Sequence, residues 1–150
     1  MKNIYLLPTD QQSRIHKNDK GELVLCDLYF GKNTINGHHL YITYNEYIER
    51  GDKGWLLEDS SNVVNVTEFD CTNGLGGIYP TDRKIVLTTD PILIKDGVQE
   101  VDEDFLKTYV NNPIDEIVVQ TFVRKCGVET DANGYRLMDK HEYYYKLKSI

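Results

Sequence analysis

The sequence DEDFLKTYVNNP, residues 102–113, carries the clearest helix signal in the chain. Its first turn is acidic, which the helix macrodipole favours. Apolar side chains at helical spacing form one stripe, made of Phe105, Leu106, Tyr109 and Val110. Pro113 ends the helix because it has no backbone N–H to donate. The sequence therefore predicts a helix over 102–112 whose apolar face must pack against another layer.

Strand-like segments lie on both sides of this helix, and turn sequences separate several of them into hairpins. Residues 3–7 are apolar on both faces, which predicts a central strand. One helical turn is predicted at 45–50, and a helix start at Asp90-Pro91. Loops are predicted at 28–38, 71–82 and 128–140. The other predicted strands are 13–17, 22–27, 39–44, 54–58, 62–68, 83–88, 116–124 and 142–148.

The resulting expectation is one α+β domain over residues 1–150. It is mainly antiparallel β-sheet, curled or partly closed as a barrel, with the 102–112 helix packed on it. The chain has 24 acidic and 17 basic residues, a formal net charge of −7, which disfavours non-specific binding to nucleic acids. Three separated cysteines, Cys26, Cys71 and Cys126, fit a reducing compartment. With no signal-peptide pattern, these features predict a cytoplasmic protein.

The residue types that carry chemistry do not form a recognised catalytic or metal-binding pattern. No Cys or His pair has zinc-site spacing, so the sequence predicts no metal, no cofactor and no catalytic residue. Cys71 lies in a glycine-rich loop, where His16, His39 or His141 would have to approach it to form a dyad. Several acids crowd one region, and two of them could form a hydrolytic pair. We favour Asp90 and Asp102 as helix caps and the other acids as solvated. The acids of this region are Asp82, Asp90, Asp96, Asp102 and Asp104.

Tyrosine is abundant, with 11 residues, and basic residues occur near aromatic ones. An arginine beside an aromatic ring can hold a phosphate and stack on a base. On this reasoning the candidate ligand-binding residues are Arg14, Trp55, Tyr79 and Arg83. The alternative is that these are ordinary surface positions of a sheet.

Three blocks of sequence resemble a family of short uncharacterised proteins from bacteroidete genomes and their phages. They are NIYLLPTD at 3–10, LYIT at 40–43 followed by ERGD at 49–52, and KIVLTTDP at 84–91 continuing into LIKDGVQ at 93–99. The chain departs from the family pattern at Trp55, which is separated from Gly51-Asp52 by two residues, and at Thr108, where the family has tryptophan. The resemblance implies a phage or prophage origin and implies no reaction. The segment IERGD at 48–52 also resembles a turn found in small PUA-like and ASCH-like barrels.

From these observations we expect a phage-type accessory protein without catalytic activity, acting against host defence in the cytoplasm of a bacterial host. Its partner would be a small signalling nucleotide that it sequesters, or a host protein. Three alternatives stay open: a PUA-like or ASCH-like module that binds RNA or a modified base, a virion or homo-oligomeric structural protein, and an enzyme that uses Cys71 or the acidic cluster.

Overall fold

The computed structural model describes residues 2–27, 36–60, 63–124 and 140–147, with only the backbone for 122–124, 140–141 and 146–147. Cys126, most of the predicted 128–140 loop and positions 28–35 lie outside this description. The described elements are β1 (Ile4–Thr9), β2 (Ile15–Lys17), β3 (Leu23–Leu25), β4 (Gly37–Tyr47), β5 (Lys53–Ser60), β6 (Val63–Asp70), β7 (Arg83–Thr88), α1 (Pro91–Lys95), β8 (Gln99–Glu100), α2 (Glu103–Asn111), β9 (Ile117–Arg124) and β10 (Lys140–Leu147).

The main sheet has the strand order β3-β2-β4-β7-β5-β6. In addition, β1 pairs with β4, and the short β8 pairs with β7 in the parallel direction. The antiparallel pair β9–β10 forms a second sheet. The main sheet is curled but not closed, so the predicted α+β fold with a mainly antiparallel sheet is confirmed.

Apolar side chains along β4 alternate between two of the buried clusters of the interior, one on each face of the sheet. Leu40 and Ile42 face a large cluster that also contains Phe105 and Leu106 of α2 and Ile117 of β9. Tyr41 faces a smaller cluster on the opposite side, with Tyr5, Leu57, Ile85 and Leu93 as its other buried members. The sheet therefore carries α2 and the β9–β10 hairpin on one face and α1 on the other.

Both helices begin at an aspartate that caps them, as the sequence predicts. The Asp102 carboxylate accepts a hydrogen bond from the Phe105 N–H at 2.7 Å, and Asp90 accepts one from the Ile92 N–H at 3.0 Å. The apolar stripe of α2 is buried at Phe105, Leu106 and Tyr109. Neither helix in the described part of the chain has the length and apolar character that crossing a membrane requires.

Two side-chain amides attach the β9–β10 hairpin to the main sheet by imitating strand pairing. The buried Asn3 donates to the Ile117 carbonyl at 2.8 Å and accepts from the Ile117 N–H at 2.9 Å. Gln99 does the same with Tyr143, donating to its carbonyl and accepting from its N–H, each at 2.8 Å. The hairpin is thereby fixed over the start of β1 and over β8.

Two local predictions are wrong. Among the described strands β1 pairs with β4 alone, so it is an edge strand and not a central one. Its two-sided apolar pattern arises because Ile4 and Tyr5 enter different clusters. In the segment predicted as a helical turn at 45–50, residues 45–47 are instead strand, because β4 continues to Tyr47, which pairs with Arg83 of β7.

Candidate functional site

A cleft in the described part of the chain lies at a gap in the main sheet. On the side of β7 away from β4, β5 pairs with Arg83 and Lys84, whereas β8 pairs with Leu87 and Thr88. Ile85 and Val86 lie between these two pairings and line the cleft. Successive residues of a strand face opposite sides, so the cleft is bordered by both apolar clusters.

The cleft has a volume of about 710 Å³, within the range of ligand pockets. Its walls come from the start of β5, from β7, from the segment between α1 and β8, and from β10. The residues that matter for binding chemistry are Lys53, Trp55, Lys84, Asp96, Glu142 and Tyr143.

Trp55 is the only tryptophan of the chain, and it lines this cleft half-buried. Its indole N–H donates to the Asp96 carboxylate at 2.7 Å. Asp96 is the C-cap residue of α1, so this bond joins β5 to the end of the helix. The bond fixes the orientation of the indole ring at the cleft wall, which makes Trp55 suited to stacking on a planar ligand.

Charges of both signs surround the indole. Lys53 and Lys84 supply two ammonium groups, and Asp96, Glu100 and Glu142 supply carboxylates. The Lys84 ammonium forms an ion pair with Asp52 at 2.8 Å. Gly54, between Lys53 and Trp55, has φ 149°, a backbone conformation that residues with a side chain rarely adopt. The cleft is therefore mixed in charge and offers both donors and acceptors.

Tyr143 forms part of the cleft wall and connects it to a second cleft. Its ring meets Tyr44 edge-on, with centroids 5.9 Å apart. Burial raises the pKa of the Tyr143 hydroxyl, as do the negative charge of Asp52 and the neighbouring Tyr44. The hydroxyl therefore stays protonated at neutral pH and can donate. The second cleft, about 490 Å³, shares Lys84 and Tyr143 with the first.

The structure separates the four residues that the sequence suggested for ligand binding. Only Trp55 lines the main cleft. The Arg14 guanidinium forms two hydrogen bonds of 2.7 Å with the Glu103 carboxylate and one of 2.8 Å with the Cys26 carbonyl, so it joins α2 to the β2–β3 hairpin. Tyr79 is exposed in the 71–82 loop. Arg83 follows this loop as the first residue of β7.

Arg83 contacts an aromatic ring, but a different one from that expected. Its guanidinium carbon lies 4.5 Å from the centre of the Tyr47 ring, and it donates to the Asp82 carbonyl at 3.0 Å. Tyr47 comes from the β4 extension that the sequence did not predict. A ligand-binding role for Arg14, Tyr79 and Arg83 stays a prediction.

Sequence reasoning missed Lys53, Lys84, Glu142 and Tyr143 as members of one cleft. The only local signal is Lys53-Gly54-Trp55, in which a glycine separates a lysine from the single tryptophan. Glu142 and Tyr143 reach the site through the Gln99 bridge to Tyr143, a contact between residues 44 positions apart.

The thiol and the two described imidazoles suggested for a catalytic pair lie in separate surroundings. Cys71, 1% exposed, packs in an apolar cluster with Ile48, Leu56 and Phe69. The His16 and His39 rings lie within hydrogen-bond distance of main-chain carbonyls, those of residues 13 and 12. The described contacts of the thiol therefore include no imidazole, and the His141 side chain lies outside the description.

The crowded acids of the sequence have different roles in the structure. Asp90 and Asp102 are helix caps, as favoured from the sequence. Asp82 was expected to be solvated, and this is wrong: it is 3% exposed, and its carboxylate accepts from the Tyr79 N–H at 2.9 Å and so shapes the 71–82 loop. Across the described residues, no three His, Cys, Asp or Glu side chains are grouped as metal ligands.

No protein-family model, curated protein or solved structure matches this chain. The resemblance to bacteroidete and phage proteins, and the PUA-like comparison, therefore stay predictions.

Proposed function

We propose that this protein binds a small nucleotide-like ligand in the cleft formed by β5, β7, the α1–β8 segment and β10. The observation that carries the proposal is the position of the only indole, held by Asp96 at 2.7 Å in a cleft that also contains two lysines. A base can stack on Trp55, since aromatic side chains bind every base through its π-face. The volume of about 710 Å³ accommodates a nucleotide-sized molecule.

The charged groups of the cleft are of the kinds that recognise phosphate, ribose and base. Lys53 and Lys84 are suited to phosphate oxygens, because an ammonium group forms charge-assisted hydrogen bonds with them. Asp96, Glu100 and Glu142 are acceptors for ribose hydroxyls or for the exocyclic amine of a base. Binding without turnover would withdraw a signalling nucleotide from solution, which is the mode of action expected for a phage-type accessory protein.

Isothermal titration calorimetry with cyclic mononucleotides, cyclic dinucleotides and ADP-ribose tests this proposal. At least one of these should bind with a one-to-one stoichiometry. Lys53→Met should weaken that binding by roughly tenfold or more, because a hydrogen bond to a charged group is worth about 1.5–3 kcal/mol.

The matched control is Lys17→Met, which removes an exposed lysine of β2 that does not line the cleft. This variant should bind as the wild type does. The proposal is refuted if none of the nucleotides binds, or if both lysine variants lose the same affinity.

A further inference from the structure

Among the described strands, β6 is the outermost of the main sheet, and one of its edges has no partner strand. It stands at the end of the strand order and pairs with β5 without interruption from Lys53–Asp70 to Ser60–Val63. Within the described part of the chain, no backbone group outside β5 hydrogen-bonds to residues 63–69. Among the described residues, the outer N–H and C=O groups of β6 therefore have no backbone partner, as pairing with another strand requires.

The other edges of the sheet carry features that discourage such pairing. β1 contains Pro8, and the N–H groups of Asn3 and Ile4 are bonded to the Asp115 carbonyl. β3 has only 3 residues. In contrast, β6 has 8 residues with no proline and no lysine, and its first five, VVNVT, carry no charge. Exposed edge strands with such an uncharged segment are templates for strand pairing.

We infer that β6 is a self-association edge, at which two copies of the chain pair their β6 strands antiparallel about a two-fold axis at Asn65. In an antiparallel pair, two directly opposed residues either both direct their N–H and C=O groups toward the partner strand or both direct them away from it. Successive residues of a strand alternate between these two orientations. A two-fold axis that relates two copies of one strand must therefore pass through a residue and not between two residues. An axis at Asn65 opposes Val63 to Thr67 and Val64 to Val66.

The sequence of β6 matches itself in this register. The four positions that flank Asn65 are all β-branched, and cross-strand pairs of such residues stabilise sheets. The acids Glu68 and Asp70 fall outside the self-paired segment and therefore do not face their own copies. Val63, 53% exposed, would be covered in the pair. Because β-branched residues lie at the same positions on both sides of Asn65, this segment matches an antiparallel second copy of itself, which favours a second copy over an unrelated strand as the partner.

Net charge opposes association at long range. Each copy carries −7, and this repulsion is screened over about 8 Å at physiological ionic strength. Dimer formation should therefore strengthen as salt is added, which is the opposite of what an interface built on ion pairs would show.

Sedimentation velocity of the full chain over a wide concentration range tests the inference. The mass should rise from 17.4 kDa towards twice that value as concentration increases. Asn65→Lys places two ammonium groups opposite each other across the axis and should weaken association on the order of tenfold. Asn111→Lys, the same change at an exposed position of α2, should associate as the wild type does.

A charge-swap experiment tests the register itself. Asn65→Lys and Asn65→Asp should each dimerise poorly alone, but an equimolar mixture should form a mixed dimer, detected by native mass spectrometry. Far-UV circular dichroism checks that each variant is folded. The inference is overturned by a wild type that stays at 17.4 kDa throughout, by an Asn65→Lys variant that dimerises normally, or by folded variants that fail to form the mixed dimer.

Discussion

Replacement of Asn3 by alanine should destabilise the protein strongly, because one buried side chain joins the two sheets. Asn3 is fully buried, and so is Ile117, whose N–H and carbonyl are both bonded to the Asn3 amide. Truncation leaves that N–H and that carbonyl buried without partners, at about 1–3 kcal/mol for each. We expect a loss of about 4 kcal/mol, a large part of the roughly 5–15 kcal/mol that stabilises a typical domain.

Urea unfolding followed by far-UV circular dichroism measures this loss. Asn111→Ala is the matched control, because Asn111 is exposed on α2, and its stability should stay within about 0.5 kcal/mol of the wild type. Hydrogen exchange supplies a local measurement, since the Ile117 amide should exchange much faster in Asn3→Ala. A loss below about 1 kcal/mol, or an unchanged Ile117 exchange rate, would refute the bridging role of Asn3.

Three further outcomes are expected. In urea unfolding, Cys71→Ser should lose about 1–3 kcal/mol more stability than Cys71→Ala, because serine places a hydroxyl in an apolar cluster. Equal losses of stability in the two variants would argue against an apolar environment. Burial alone would raise the pKa of Asp90, but hydrogen bonds from His39 and Tyr41 outweigh it and lower the pKa. Wild-type stability should therefore fall as pH drops below about 4, and acid titration of Asp90→Asn should show a shallower fall than the wild type. Asp102→Ala should lower the free energy of unfolding by about 1 kcal/mol, because the helix loses its cap. A double-mutant cycle with Tyr145→Phe should show coupling, because the Tyr145 hydroxyl lies 3.0 Å from the Asp102 carboxylate. Strictly additive losses of stability would exclude that hydrogen bond.

Much of the fold follows from local sequence signals. The helix predicted over 102–112 is observed as Glu103–Asn111, between its caps, and the strand predicted at 83–88 has those bounds in the structure. Both rest on strong local chemistry, namely an aspartate cap with an acidic first turn in one case and a run of buried apolar residues in the other.

The local signals fail where long-range pairing decides the structure. Residues 45–47 have a capping asparagine and no strand alternation, yet they extend β4 because Tyr47 pairs with Arg83. The same pairing explains why Arg83 lies against Tyr47 and not Tyr79. An arginine and a tyrosine that are close in sequence need not be partners in space.

The candidate site could not be predicted from the sequence because no single segment contains it. Lys53, Lys84 and Tyr143 are brought together by the divergence of β5 from β7 and by the Gln99 bridge. Of the four residues that the sequence suggested for ligand binding, only Trp55, the single tryptophan, lines this cleft. Its rarity made it a candidate, but its partner Asp96 depends on how α1 packs.

The fluorescence of Trp55 tests most directly whether the proposed ligand binds in the cleft around this residue. Because the chain has no other tryptophan, its emission reports on this cleft alone. A nucleotide that binds there should change the emission in a saturable way, with a midpoint that shifts in Lys53→Met and not in Lys17→Met. Emission that does not change when calorimetry shows the nucleotide to be bound would contradict the assignment of the site.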